Sequence, residues 1–294
     1  MLDKRYFGER VFDSFNVIIM IFIFIIMLYP FVYIISYSLS DPFKMKGGFI
    51  ITPAGLNLSN YVACFKIRDI LNGLFISVSR TIIGTVLMIF FNSMAAYSIS
   101  RNDMLFVKFF RRYFVFTMYF SGGLIPVYLV MKSLHLTNSF WVYIIPSIVA
   151  VFNMVLIRIY IESLPIELQD AAIVDGANDF VLFHKVIFPL CRPVIAAVAL
   201  FTAIGHWNAY LDTAIYNSMR RDLYSLQYVL YNFLSTTQRL QLEDFQFMQD
   251  TRVRLESKGL NMAITVITIF PIACVYPFAK KHFASGLLIG SIKG

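Results

Sequence analysis

Ser163-Leu-Pro-Ile-Glu-Leu-Gln-Asp-Ala-Ala-Ile-Val-Asp-Gly-Ala-Asn-Asp-Phe-Val-Leu-Phe-His-Lys-Val-Ile-Phe-Pro-Leu-Cys-Arg-Pro193 separates two long apolar runs. Pro165 suits a first helical turn, and Glu167 and Asp170 follow where acids favour the positive end of the helix dipole. Gly176 supplies a left-handed helix stop, and Asn178 is a good N-cap for a second short helix. On that second helix Phe180, Phe183 and Ile187 recur at i, i+3 and i+7, which gives one apolar edge. The stretch therefore predicts two short helices joined at a glycine. Ala171, Ala172 and Ala177 around Asp175-Gly176 leave a knob with little side-chain bulk, shaped to enter a groove on another protein. A second reading, a helical connection lying flat on a membrane surface, stays open from these residues alone.

Outward from this loop the chain is strongly apolar. Of 294 residues 59% are apolar and only 14% charged, against about half and a quarter in a soluble domain. That excess must face lipid, and a water-soluble fold is excluded. Six runs are long enough to span a core needing about 20 helical residues: 15–39, 70–98, 113–131, 139–161, 187–213 and 259–280. They predict an all-α transmembrane fold, with residues 1–14 as a short N-terminus and 15–294 as one membrane domain. The first run is too long for a signal peptide and lacks a small-x-small cleavage site.

The net charge of +8 forms no continuous basic stripe, so it reads as topology and not as nucleic-acid binding. Loop 99–112 holds Arg101, Lys108, Arg111 and Arg112 against Asp103 alone. With Lys4, Arg5 and Arg10 before the first span and Lys280, Lys281 and Lys293 after the last, it places both termini in the cytoplasm. Lys44, Lys46, Lys66 and Arg68 in segment 40–69 weaken the bias. Arg80 is the main charge within a span; it is expected near the outer interface, snorkelling, with Asp212 at the outer end of the fifth span. Cys64, Cys191 and Cys274 are far apart and lack metal-ligand spacing.

The run Glu167-Leu-Gln-Asp-Ala-Ala-Ile-Val-Asp-Gly-Ala177, continued by Phe183 and by Pro189-Leu190-Cys-Arg-Pro193, resembles the "EAA" loop of permease subunits of binding-protein-dependent ABC importers. It is most similar to the carbohydrate branch, of maltose-permease type. The likeness extends to Ala95-Ala-Tyr97-Ser-Ile-Ser-Arg101, Ser121-Gly-Gly-Leu-Ile-Pro126, Trp207-Asn208 and the ending Gly286-Leu-Leu-Ile-Gly-Ser-Ile-Lys-Gly294. The Gly-Gly-Leu-Ile-Pro segment and Tyr276-Pro277 are similar to Gram-positive permeases for complex or plant-type oligosaccharides. One departure stands: Glu167 is followed by Leu168-Gln169, so the matching alanine pair is Ala171-Ala172.

The resemblance implies the six-helix type I ABC importer permease fold, with loop 163–186 carrying a cytoplasmic coupling helix. Glu167, Ala171, Asp175, Gly176 and Ala177 would then form the surface that docks on an ATPase. It further implies a cell-membrane protein of a Gram-positive bacterium that imports a sugar or oligosaccharide by alternating access. The implied partners are a second homologous permease, two ATPase subunits, an extracellular sugar-binding lipoprotein and membrane lipid. ATP and its magnesium would sit on the ATPase; this chain has no G-x-x-x-x-G-K-[ST] stretch and would bind no cofactor itself.

A sugar path needs aromatic faces for C–H surfaces and amides or hydroxyls for sugar hydroxyls. Trp207, Asn208 and Tyr210 in span five are the first candidates, followed by Asn92, Tyr119 and Asn153; each also serves as a helix–helix contact or interfacial anchor. Tyr97 and Ser121 belong to the same weaker group. Outer loop 214–258 is the largest polar segment, and Arg220 and Arg221 are its candidates for binding-protein contact. Other classes fit less well. A secondary transporter wants intramembrane carboxylates at a coupling site, and a membrane enzyme wants convergent catalytic groups, which His135, His184, His206 and His282 do not supply by spacing. A permease for a non-sugar solute remains the nearest alternative.

Overall fold

Long apolar runs in lipid must satisfy their backbone groups internally, which selects helices. The computed structural model describes residues 7–41, 44, 49–243 and 251–286, and among them all regular elements are helical. In chain order these are α1 (Phe7–Ser38), α2 (Ser59–Lys66), α3 (Arg68–Ser100), α4 (Val107–Tyr119), α5 (Leu124–Ser133), α6 (Val151–Glu162) and α7 (Glu167–Val174). Next come α8 (Asp179–Val181), a π turn over Leu182–Ile187, α9 (Phe188–Leu190), α10 (Arg192–Asn208), α11 (Leu211–Tyr216), α12 (Leu226–Glu243) and α13 (Thr251–Gly286). Within α1, α3 and α13, residues Val11–Ser38, Arg68–Ser100 and Ser257–Val275 are long and apolar enough to cross a membrane. Three bent helix pairs pass the same test of length and composition, which gives up to six crossings where each pair is one span.

The bends differ from the straight spans read in the sequence, and each has a local cause. Expected span 113–131 is split into α4 and α5, bent by 115°, because Phe120 is extended and Gly123 takes φ +87°. Expected span 139–161 starts as 3-10 turns over Phe140–Ser147 and bends by 43° into α6. Expected span 187–213 bends by 78° before α10, where Pro193 in the first turn removes a backbone donor. It then breaks at extended Ala209. Much of expected loop 214–258 is helical, within α12 and α13.

The described residues divide into two units, drawn from 1–67 with 232–269 and from 68–231 with 270–294. In the first, the membrane stretch of α1 buries none of its most apolar window, so its circumference suits lipid or another apolar helix. The polar end of α1 is tied down: Ser38 Oγ lies 2.7 Å from Tyr61 Oη, and Asn60 Nδ2 donates to the Ser38 carbonyl at 3.1 Å. Gly259 permits close approach there, since a Cβ would sit 2.9 Å from the Asn60 amide.

In the second unit α3 is the central mast, packed chiefly on α10 and α6. Its core joins Met88, Ala96, Met154, Ile157, Leu182, Phe183, Ile187 and Val198. Gly84 lies under the His206 imidazole so closely that a Cβ has no room, which brings α3 and α10 together. Asn92 is fully buried and spans the break before α6. Its Nδ2 donates to the Met88 and Ile148 carbonyls at 2.8 and 2.7 Å, and its Oδ1 accepts the Ala150 N–H at 3.1 Å. A helix break in apolar surroundings leaves orphan backbone groups, and this amide satisfies them.

Candidate functional site

Two places in the second unit gather chemistry. The first is the loop after α6. Helix α7 ends as its glycine dictates: Gly176 adopts φ +82°, the Gly176 N–H donates to Ile173 O at 2.9 Å and the Ala177 N–H to Ala172 O at 3.0 Å. Asn178 Oδ1 then accepts the Val181 N–H at 2.9 Å, capping α8. Glu167, Ala171, Asp175 and Gly176 are exposed and Ala177 is half-buried. Around them Ile166, Ile173, Val174 and Phe180 are exposed as well, and a Cβ on Gly176 would meet nothing within 4 Å. The result is a firm turn with a small, partly apolar tip.

That turn is anchored from below. Phe183 and Ile187 are buried, with Phe183 against the Tyr97 ring at 5.5 Å. Phe180 is not part of that apolar edge, as its spacing had suggested. The π turn starting at Leu182 is wider than an α turn and rolls Leu182 and Phe183 inward, leaving Phe180 exposed and stacked on His184. Arg101, just past α3, donates to Asp179 Oδ1 at 2.8 Å and to Tyr97 Oη at 3.1 Å, and also pairs with Asp103. Hydrogen bonding to that guanidinium holds the Asp103 carboxyl below the ordinary carboxylate range. Arg111 caps α3, donating to Ile99 O at 2.7 Å and Ser100 O at 2.9 Å, and lies 3.4 Å from Glu162. A polar cavity of about 530 Å³ opens between these groups and Gln169 and Asp170 of α7.

The second place lies between α3, α6, α10 and α11. Arg80 is only 1% exposed. It donates from Nη1 to Asp212 Oδ1 at 3.1 Å, pairs from Nη2 with Asp212 Oδ2, and lies 4.3 Å above the Tyr143 ring. The sequence had placed Arg80 at an interface, snorkelling; the structure instead buries it against a carboxylate, because neutralising a cation in a low-dielectric interior demands a partner. The pair borders a cavity of about 410 Å³, whose walls also include Ser147, Asn153, Thr202, His206 and Tyr216. Asn153 Nδ2 donates to Thr202 Oγ1 at 3.3 Å, and Thr202 donates onward to Val198 O at 2.9 Å.

Residues 93–288 match the family described as "Binding-protein-dependent transport system inner membrane component". The chain belongs to this family of permeases. The permease is 34% identical over 288 residues to the polygalacturonan/rhamnogalacturonan transport system permease protein YtcP of Bacillus subtilis (strain 168), covering 97% of this chain and 99% of that one. It is also 34% identical to protein LplC of the same strain, across 97% of this chain and 96% of the other. Its fold is similar to a chain of a bacterial ABC transporter involved in the import of the acidic polysaccharide alginate, with TM-score 0.84, 26% identity and coverage of 95% and 99%. The all-α fold expected from the apolar runs, and the importer-permease fold that the resemblance implied, are therefore the fold of this membrane protein.

Of the six residues expected along a solute path, the permease brings only Asn153 to the 410 Å³ cavity. Asn92 spends its amide on the break before α6. Trp207, 6% exposed, faces a small apolar cavity with Val78, Leu200 and Pro271. Asn208 is exposed at the end of α10, Tyr210 stacks on Tyr231 at 5.1 Å, and Tyr119 stands exposed at the end of α4. Arg220 donates to Asp222 at 2.8 Å and Arg221 is exposed beside it. Of the cavity's leading polar residues, Thr202 escaped the sequence reading, and Arg80, Asp212 and His206 were named in it without a place on the path. The available signal was a lone arginine inside an apolar helix, whose default reading is functional. Lys4, Arg5, Lys46 and the ending Leu287–Gly294 lie outside the described residues.

Proposed function

We propose that the permease is one half of the membrane channel of an ATP-driven importer for oligosaccharides of plant-polysaccharide type. A second, similar permease completes the channel, two ATPase subunits bind ATP and its magnesium, and a sugar-binding lipoprotein delivers the solute. The chain performs no covalent chemistry: ATP-driven closure of the ATPases rotates its helices between outward- and inward-open arrangements. Both termini and loop 163–186 face the cytoplasm, a reading supported by Arg101, Lys108, Arg111 and Arg112 beside that loop. Glu167, Ala171, Asp175, Gly176 and Ala177 dock on the ATPase, and Arg220 and Arg221 meet the lipoprotein.

The observation that carries this reading is the tip at Gly176. It is held rigidly by its own hydrogen bonds, yet it leaves Ile166, Ile173, Val174 and Phe180 largely exposed. Rigid exposed apolar clusters mark interaction sites. The solute class is supported by the polygalacturonan/rhamnogalacturonan relative, aligned along nearly the whole chain, and by the alginate importer. The 410 Å³ cavity beside Arg80 and Asp212 is the proposed stretch of the route. Gly176→Trp in the assembled transporter tests the docking: the expected outcome is a folded permease that loses the co-purifying ATPase and sugar uptake together. Unchanged co-purification and uptake would defeat it.

A further inference from the structure

Among the described residues, the 410 Å³ cavity is bordered by one cation and one anion, and they already neutralise each other. Arg80 is almost wholly buried, whereas the Asp212 side chain is 24% exposed. Asp212 Oδ1 accepts from Arg80 Nη1 and from the Thr213 N–H at 2.8 Å, while Oδ2 accepts from Arg80 Nη2. An ionised carboxylate offers about four acceptor positions, so one remains on the exposed edge. Across the cavity Asn153 uses its Nδ2 on Thr202, and its Oδ1 has no hydrogen-bond partner among the described residues. These are sites for hydroxyl donors. Among the described residues no further Lys, Arg, Asp or Glu borders the cavity, so a carboxylate entering it would bring an unbalanced charge into low dielectric, at large cost.

We infer that this cavity is a contact site for the uncharged, hydroxyl-bearing face of a sugar, with Asp212 and Asn153 as acceptors, Thr202 as their neighbour and Arg80 as the positioning residue that holds Asp212. The volume lies at the small end of ligand sites and takes one or two sugar rings, not a long chain. A uronate-containing solute passes with its carboxylate turned away from the Arg80–Asp212 pair. Recognition of hydroxyls by a fixed, preorganised ion pair needs no change in the pair itself, and the guanidinium over Tyr143 keeps it in place.

This inference rests on the importer reading, and the test separates the two. The transporter, assembled with its partner permease, ATPases and binding lipoprotein in proteoliposomes, is offered labelled trigalacturonate, its carboxyl-reduced counterpart galactotriose, and a series of monodeoxy galactotrioses. The variants are Thr202→Val and Asn153→Leu, which keep the ion pair, and Asp212→Asn. The expected result is a loss of about tenfold in maximal uptake of galactotriose for Asp212→Asn and Asn153→Leu, shrinking to less than about twofold for the deoxy sugar that lacks the contacting hydroxyl. Trigalacturonate and galactotriose respond alike to each variant. A variant that slows the whole deoxy series by one factor acts through the fold and overturns the contact. A variant that slows trigalacturonate alone shows that the pair reads the carboxylate and overturns the uncharged-face assignment. Failure of the unmodified transporter to take up any probe with ATP removes the importer reading for these sugars, and this inference with it.

Discussion

The tip at Gly176 and the pair Arg80–Asp212 are built on opposite principles. The tip is small, exposed and rigid, closed by backbone hydrogen bonds and one asparagine cap, with almost no side chain committed to its interior. The pair is large and mostly buried, with a guanidinium, a carboxylate and an aromatic face locked together between helices. A surface that must meet a partner leaves its groups free; a charge that must live among apolar helices is first paired within the chain. Substitutions in the two regions should therefore separate, function without fold at the tip and fold before function in the interior.

Arg80→Met gives the largest expected effect on stability. It leaves Asp212 without its cation and costs about 3–5 kcal/mol, read as a lowered Tm in detergent; the double variant Arg80→Met with Asp212→Met recovers most of it. Equal melting of the single and double variants would break the contrast. Asn92→Leu strips the partner from Ile148 O and the Ala150 N–H, costing about 3 kcal/mol, again seen in the melt. Gly84→Ala forces the His206 imidazole away from α3 and costs about 2 kcal/mol, so the Tm falls by less. Arg101→Ala has the smallest effect on the fold, below about 1 kcal/mol, because the Asp103 and Asp179 carboxylates it pairs with are well exposed. Its expected signature is a lowered sugar uptake per ATP hydrolysed, since Arg101 ties the glycine turn to α3.

The tip was legible in the sequence because its signals are local. Gly176 as a left-handed stop, Asn178 as a cap and the acids at the start of α7 act within a few residues, and the structure shows each backbone feature where spacing put it. Phe180 was misread because a helical wheel assumes 3.6 residues per turn and the π turn at Leu182 breaks that period. The bend at Gly123 was visible as Gly-Gly, but hydropathy averages over such a pair and reports a continuous run. Arg80 and Asp212 stand 132 positions apart, and no periodicity links them. Asn92 and Asn153 look alike as polar residues in apolar runs, yet one mends a helix break and the other faces a cavity. Only packing distinguishes them.

The central claim is that this permease works in a transporter whose sugar movement is driven by ATP through the exposed loop. Uptake of labelled trigalacturonate into proteoliposomes, measured with and without ATP and with and without the ATPase subunits, tests it most directly. The account predicts accumulation against a gradient only when both are present, and its loss on Gly176→Trp. Accumulation without ATP, or without the ATPase subunits, would contradict it.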